Sequence, residues 1–550
     1  MWRAIEKIFA ALQRFCVRLY GLYMLIILCA IIFAAQGMTY AGKRTLTFDY
    51  WTYVLIAAVV GLLLVVIIAL ARRNTPPPSE DKSPLPFVLT VVFCVVVLIC
   101  WQVIAVQGGW FRSGWDVGTL TDFGNEVDHT DYYSQYPNQV FLVSLFNFIS
   151  WVGTQLGFTE GYLCLVFVGC ACVDISMVLV AVAARKMVGN LCGSLVFVVS
   201  LALIGFSPWF MVPYSDTYGM LFVTLVFFTY VCCESKVLKW PIMVFVALLG
   251  YAIKPTVIFI LVACVVIDGL QQFRVLAARR QAGDKIRFPG WKRIASGVAA
   301  IACMVLALYM PNMLITAMQN DDLVLDDEKA FSATHFLMMG FNPDTLGNYN
   351  GGDVAYSASF ATKEERQQAN IEIWLQRVQD AGPDGFAYRM LQKSLCVYND
   401  GVFAWEGEGG FYMEPHGTDE MVKTIYGIED EEGGHERPAY FAEPMQAIWM
   451  LVVIGLALLL ITRFASKEAC AMALALIFLS GFLMLFECRA RYIFLYMPII
   501  VTMGLYGWRG LYLRIQSLIG GFKTKRAMKN AAPKGVETVV FPSVAAPTDE

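Results

Sequence analysis

The chain reads as an all-α polytopic membrane protein with about twelve transmembrane helices, on two observations. Hydrophobic residues fill 58% of its 550 positions and charged residues only 15%, whereas soluble domains carry about 25% charged. The apolar residues are also gathered into runs close to the roughly 20 residues that a helix needs to cross a bilayer core.

Taken in order, the runs fall near 20–38, 51–71, 86–106, 161–183, 190–207, 217–234, 239–253, 256–272, 294–316, 445–463, 469–486 and 491–508. Before the first lies a basic amphipathic stretch (Arg3, Lys7, Arg14, Arg18) without a signal-peptide cleavage pattern, expected to lie flat on the cytoplasmic surface. These features divide the chain into five parts. Residues 1–85 hold the interfacial helix, two spans and a Pro-rich linker, and 86–316 form a transmembrane core with a polar loop at 107–160. Residues 317–443 form a polar region, 444–510 the last spans, and 511–550 a basic, then Pro/Ala-rich tail.

Charge sets the expected orientation. Lys and Arg favour the cytoplasmic side, and the basic loops around Arg72/Arg73, Arg185/Lys186, Lys236/Lys239, Arg274–Arg293 and Arg463/Lys467 agree on one face only if 107–160 stays wholly on the other. Segment 139–157 is then a juxtamembrane or re-entrant helix, with a thirteenth span as the alternative. Residues 317–443 carry 24 acidic against 8 basic side chains, a net of −16 that suits an extracytoplasmic location. The fifteen cysteines lie mostly within the spans and form no CxxC pair, so neither a disulfide framework nor a metal site of that type is expected.

Within 317–443 the pattern 362–380 predicts an amphipathic helix. Thr362 and Glu365 form a capping box and Gly382-Pro383 a stop, with a second helix at 384–396. Glycine-rich turns flank them at 348–353 and 406–410. A small helical lid is the expectation, a passive surface cap the alternative.

Four polar clusters interrupt this apolar chain. Asp116, Asp122, Glu126, Asp128 and Asp131 crowd the loop after the third run; carboxylates at a membrane surface are costly unless used. Oxygen ligands of this kind suit a divalent cation, but the spacing matches no EF-hand, so no metal or other cofactor is expected. Pro208–Tyr218 carries Asp216 beside a span start, where helix capping is the simpler role. Lys254-Pro255 breaks an apolar hairpin and either snorkels or holds an anionic headgroup. Glu487-Cys488-Arg489-Ala490-Arg491-Tyr492 places two arginines at an expected outer boundary, where an anion such as phosphate would match their forked donors and Glu487 is the internal alternative. Asp174, mid-span, would pair with a polar neighbour or relay protons, and His129 and His335 are further titratable groups.

The order of these motifs resembles the glycosyltransferase C superfamily, and within it the bacterial membrane glycosyltransferases similar to protein mannosyltransferases (family 39). The motifs in question are Trp115-Asp116, Tyr136-Pro137-Asn138-Gln139, Arg185-Lys186, the Ser-Pro…Ser-Asp-Thr element, Lys254-Pro255-Thr256 and Arg489-Ala490-Arg491-Tyr492, across about 86–510. The chain is also similar to a Gram-positive subgroup through His335–Gly340 and Tyr398–Gly401. The resemblance implies an inverting transfer of a monosaccharide from a polyprenyl-phosphate donor to an extracytoplasmic glycan, lipid or protein. The enzyme would sit in a bacterial cytoplasmic membrane with both termini inside. It implies Asp116 as general base, with Asp216 and Glu126 orienting the acceptor or replacing it. Arg489, Arg491 and Lys254 would bind the donor phosphate. Trp115, Asp122, Tyr132, Tyr133, Tyr136, Asn138, His335 and Tyr492 would contact substrate. The bilayer is the expected surrounding, and no nucleic-acid partner is expected. A transporter or flippase of lipid-linked glycan, or a polysaccharide polymerase or ligase, are the competing classes.

Overall fold

A computed structural model describes residues 2–34, 46–71, 83–122, 129–282, 290–318, 325–430, 437–462 and 465–530. Glu126, the Pro-rich stretch 72–82 and the tail beyond 530 lie outside the described residues. The described chain is almost entirely helical: α1 (Trp2–Ala34), α2 (Tyr50–Ala71), α3 (Leu85–Gly109), α4 (Trp115–Thr121), α5 (Thr130–Gln135), α6 (Val140–Gln155), α7 (Gly161–Val188), α8 (Asn190–Ser200), α9 (Ser215–Cys232), α10 (Lys239–Ile253), α11 (Ile258–Gln281), α12 (Trp291–Met318), α13 (Ala333–Met339), α14 (Gly351–Ala358), α15 (Lys363–Tyr398), α16 (Glu420–Tyr426), α17 (Ala442–Leu458), α18 (Lys467–Leu485) and α19 (Met497–Asn530). A two-residue ribbon joins β1 (Phe111–Arg112) antiparallel to β2 (Glu414–Pro415), with Phe111 opposite Pro415.

Ten helical segments among the described residues are long and apolar enough to cross a membrane, and Asn190–Gly205 and Lys239–Ile253 are shorter apolar helices. Together they coincide with the twelve runs read from the sequence. Lipid offers no partner for backbone N–H and C=O groups, so each apolar run closes its own hydrogen bonds as a helix. Segment 139–157 forms α6, whose 16 residues reach about 24 Å, short of a bilayer core.

Two expectations shift. The basic N-terminal stretch is not a separate surface helix but the start of the continuous 33-residue α1. It packs on α11, where Arg274 Nη1 donates to Gln13 Oε1 at 2.9 Å. Nor do the first two helices stand apart from the rest. Met24, Ile27 and Ile31 are buried, and Tyr23 donates to Ser394 Oγ at 3.0 Å.

Helices α17 and α19 approach closely because glycines face each other. A Cβ added to Gly507 would lie 1.8 Å from the Gly455 carbonyl oxygen. Small residues are how helices associate where lipid removes the hydrophobic drive.

The polar region behaves as its pattern predicts. Thr362 Oγ1 accepts from the Glu365 N–H at 3.3 Å. The helix pair 362–396 is one run broken at Gly382, whose φ of +63° only glycine adopts readily. Its second half is not a loose cover. Leu395, Val397 and Tyr398 are buried, and the buried Lys393 ammonium binds the Gly340 and Phe486 carbonyls. That clamp fixes the segment leading to Arg489.

Candidate functional site

Five distant stretches meet at one cluster. Asp116 lies in the first turn of α4. The preceding Trp115 holds φ +45°, a costly conformation for an aromatic residue. The Gly114 N–H donates to the Gly410 carbonyl at 2.8 Å, so this turn is tied to the glycine-rich segment 406–410. Asp216 opens α9, where the helix dipole favours a carboxylate. Lys254 is extended between the end of α10 and the 3-10 turn Pro255–Val257, because proline cannot continue the helix. Arg489 and Arg491 enter through the 3-10 turn Ala490–Tyr496 that leads into α19.

The charges interlock. Arg491 Nη1 donates to Asp216 Oδ2 at 3.0 Å and Nη2 to Glu408 Oε1 at 3.2 Å. Lys254 binds the other Asp216 oxygen, and Arg489 binds the other Glu408 oxygen. Arg489 Nε stands 3.5 Å from Glu487, which also accepts from the Tyr492 hydroxyl at 2.8 Å. The Arg491 guanidinium lies over Trp115 at 4.5 Å and Tyr214 at 4.7 Å, and Lys254 over Tyr492 at 4.9 Å. Asp216 and Arg491 are each only 3% exposed. Asp116 is the half-buried carboxylate at the edge, accepting from the Tyr214 hydroxyl at 2.8 Å. Burial pushes the Glu487 carboxyl up against the opposing pull of Arg489. Burial also holds Lys254 below the usual lysine range, while Asp216 favours its charge. Burial, with the charge of Asp116 adding to it, raises the phenols of Tyr132 and Tyr136.

The structure therefore brings together Asp116, Asp216, Lys254, Arg489, Arg491, Trp115 and Tyr492, with Tyr132 and Tyr136 at the rim. It places others elsewhere. Asp122 pairs with His129 at 2.9 Å. Tyr133 is buried and donates to the Thr119 carbonyl at 3.0 Å, tying α5 to α4. Asn138 is exposed, and Gln139 is the residue of that motif that turns inward, donating to Tyr214 at 3.2 Å; a one-residue difference in phase decides this. Asp174 accepts from Gln102 at 2.9 Å, the polar pairing expected of it. The two arginines, for which the sequence suggests a bound anion or neutralisation by Glu487, have Glu487 beside Arg489 and are bridged by Glu408. Its signal in the sequence is an acidic residue among glycines (Glu406-Gly407-Glu408-Gly409-Gly410), read there only as a turn. Positive φ at Phe403, Ala404 and Glu406 shapes the approach to it. Asp400 supports that path by accepting from Val402 N at 3.0 Å and Ala404 N at 2.7 Å.

His335 is corrected from substrate contact to core residue. It is fully buried, stacks on Phe331 at 4.2 Å and shares a 2.7 Å hydrogen bond with Ser357 through Nδ1. Burial lowers its pKa from 6.5 to about 4, with Asp353 opposing and Arg366 adding to the shift. The unfolded chain therefore takes up this proton first as pH falls. The stability that neutral His335 supplies is intact above pH 6.5 and drains away between 6.5 and about 4. At pH 5 the loss is expected to be about 2 kcal/mol. Thermal melts at pH 7 and pH 5 should show a smaller drop for His335→Gln than for the parent protein; equal drops would remove His335 as the cause.

A family described as "Conserved hypothetical integral membrane protein" matches residues 9–510, and the chain belongs to it. No curated protein and no solved structure matches the chain.

Proposed function

We propose that this member of an integral membrane protein family is an inverting glycosyltransferase that uses a polyprenyl-phosphate sugar. The observation that carries the reading is the position of Asp116. It is a half-buried carboxylate held by Tyr214, at the edge of a buried cluster containing Lys254, Arg489 and Arg491. The resemblance of its motif order to that of the glycosyltransferase C superfamily supports it further.

On this reading the acceptor hydroxyl gives its proton to Asp116 as its oxygen bonds to the anomeric carbon. The bond from that carbon to the phosphate oxygen breaks on the opposite face, and the phosphate leaves with the electron pair. A positioned base contributes about 10²–10⁴-fold, and cations already in place stabilise the leaving charge without reorganising. Glu408 holds both guanidiniums in the arrangement described, so donor phosphate would exchange for its carboxylate. Asp216 keeps Arg491 and Lys254 in position. Trp115, Tyr132 and Tyr136 offer faces to a sugar ring. The site would lie on the extracytoplasmic side of a bacterial cytoplasmic membrane with both termini inside, and the acceptor would be a glycan, lipid or protein of the cell envelope.

The transporter reading drew on Asp174, and the pairing of that residue with Gln102 weakens it. The test is turnover by the purified protein with a radiolabelled polyprenyl-phosphate sugar and a cell-envelope acceptor fraction. Transfer of single sugars is expected. Transport of the lipid without transfer, or products that grow as polymers, would overturn the assignment.

A further inference from the structure

A second site lies at the far end of α19. Between Arg491 and Arg509 the chain passes two turns of 3-10 helix and then α-helix, a separation of about 30 Å along the axis. That is the thickness of a bilayer core, so this site faces the membrane boundary opposite the Asp116 cluster.

The site is a crevice of about 550 Å³ between α2, α8 and α19, closed by the end of α7. Its walls repeat at helical spacing: Leu64 and Ile68 from α2, Leu191 and Leu195 from α8, Leu505 and Leu513 from α19. The α19 positions that line it run from Leu505 to Gln516, giving a slot roughly 16 Å long parallel to the helices. Arg185, Lys186 and Arg509 also line it. Lys186 is paired with Glu234 at 2.7 Å. Arg185 bonds the neutral Asn190 side chain at 2.6 Å and lies over Phe87 at 5.2 Å. Among the described residues neither Arg185 nor Arg509 has a carboxylate within ion-pair distance. The Tyr512 hydroxyl lines the same crevice and is buried with no hydrogen-bond partner among the described residues.

From these features we infer that the crevice binds an anionic glycerophospholipid of the bilayer leaflet on that side. An apolar slot parallel to the helices fits an acyl chain. Two guanidiniums without acidic partners fit a phosphodiester, which arginine forks match, and the orphan hydroxyl supplies one more donor. Basic residues at a membrane boundary are drawn to an anionic leaflet, which favours a headgroup carrying net negative charge. This inference does not rest on the glycosyltransferase reading, because none of these residues belongs to that cluster.

Native mass spectrometry of the detergent-purified full chain, titrated with phosphatidylglycerol or phosphatidylcholine, tests it. Phosphatidylglycerol should bind at least tenfold more tightly. The Arg185→Gln/Arg509→Gln pair should abolish that preference, and Leu195→Trp, which fills the slot, should weaken both lipids. Equal binding of the two lipids would overturn the inference, as would a double variant that keeps the preference. Competition by chain-free glycerophosphoglycerol as strong as by the lipid would reduce the site to a free-phosphate site. If a variant does not fold, a photoactivatable phosphatidylglycerol on the parent protein decides. Its label must map to α2, α8 or α19, and label elsewhere overturns the site.

Discussion

Arg491→Ala is expected to destabilise the protein by about 3–5 kcal/mol, the cost of breaking a buried ion network. Removing one member of a buried ion network leaves its partners charged and uncompensated. Here the abandoned groups are Asp216 and Glu408, which among the described residues keep only the cations Lys254 and Arg489 respectively. The guanidinium plane over Trp115 and Tyr214 is lost as well. A lower melting temperature in detergent and a lower yield of folded protein should follow. Arg491→Lys should recover part of the loss by keeping the charge but not the fork. Adding Glu408→Gln to Arg491→Ala should recover another part, since one stranded carboxylate is then neutral. Additive single effects in this double-mutant cycle would show that the two side chains are not coupled.

Asp116→Asn is expected to act the other way, on turnover and not on stability. Asp116 is half-buried, and an asparagine oxygen can still accept from Tyr214, so the melting temperature should stay close to that of the parent. Transfer should fall by about 10²–10⁴-fold, because an amide cannot take the acceptor proton. Donor binding should be unchanged, since Asp116 makes no ion pair with Lys254, Arg489 or Arg491 among the described residues. Near-normal turnover in the purified variant would remove Asp116 as the base. An equal fall in donor affinity and turnover would instead assign it to binding.

Much of the site was legible without coordinates. Asp116, Asp216, Lys254, Arg489 and Arg491 stand out because each interrupts or borders an apolar run, where a charge is costly unless paired or used. Glu408 did not stand out, since acidic residues are plentiful in 317–443 and nothing local separates it from its neighbours. His335 misled for the opposite reason. A histidine in an otherwise acidic, exposed-looking region suggests chemistry, yet Phe331 and Ser357 enclose it in the core. Asn138 and Gln139 are both polar and adjacent, and only the phase of the turn before α6 selects Gln139.

The apolar helices and the segregation of charge along the sequence follow from the chain alone. In lipid every backbone polar group must be satisfied within its own segment, so run length and polarity settle the element. Which polar groups meet is a different matter. Arg491 and Asp216 are 275 positions apart. Their contact depends on glycine-mediated packing of α17 on α19, on the Lys393 clamp and on the strained turns at Trp115 and Phe403. Those are long-range and backbone-specific terms that no local pattern encodes. Only the tertiary structure closes the arginines into a network through Glu408, because a buried cation is costly unless an anion is held against it.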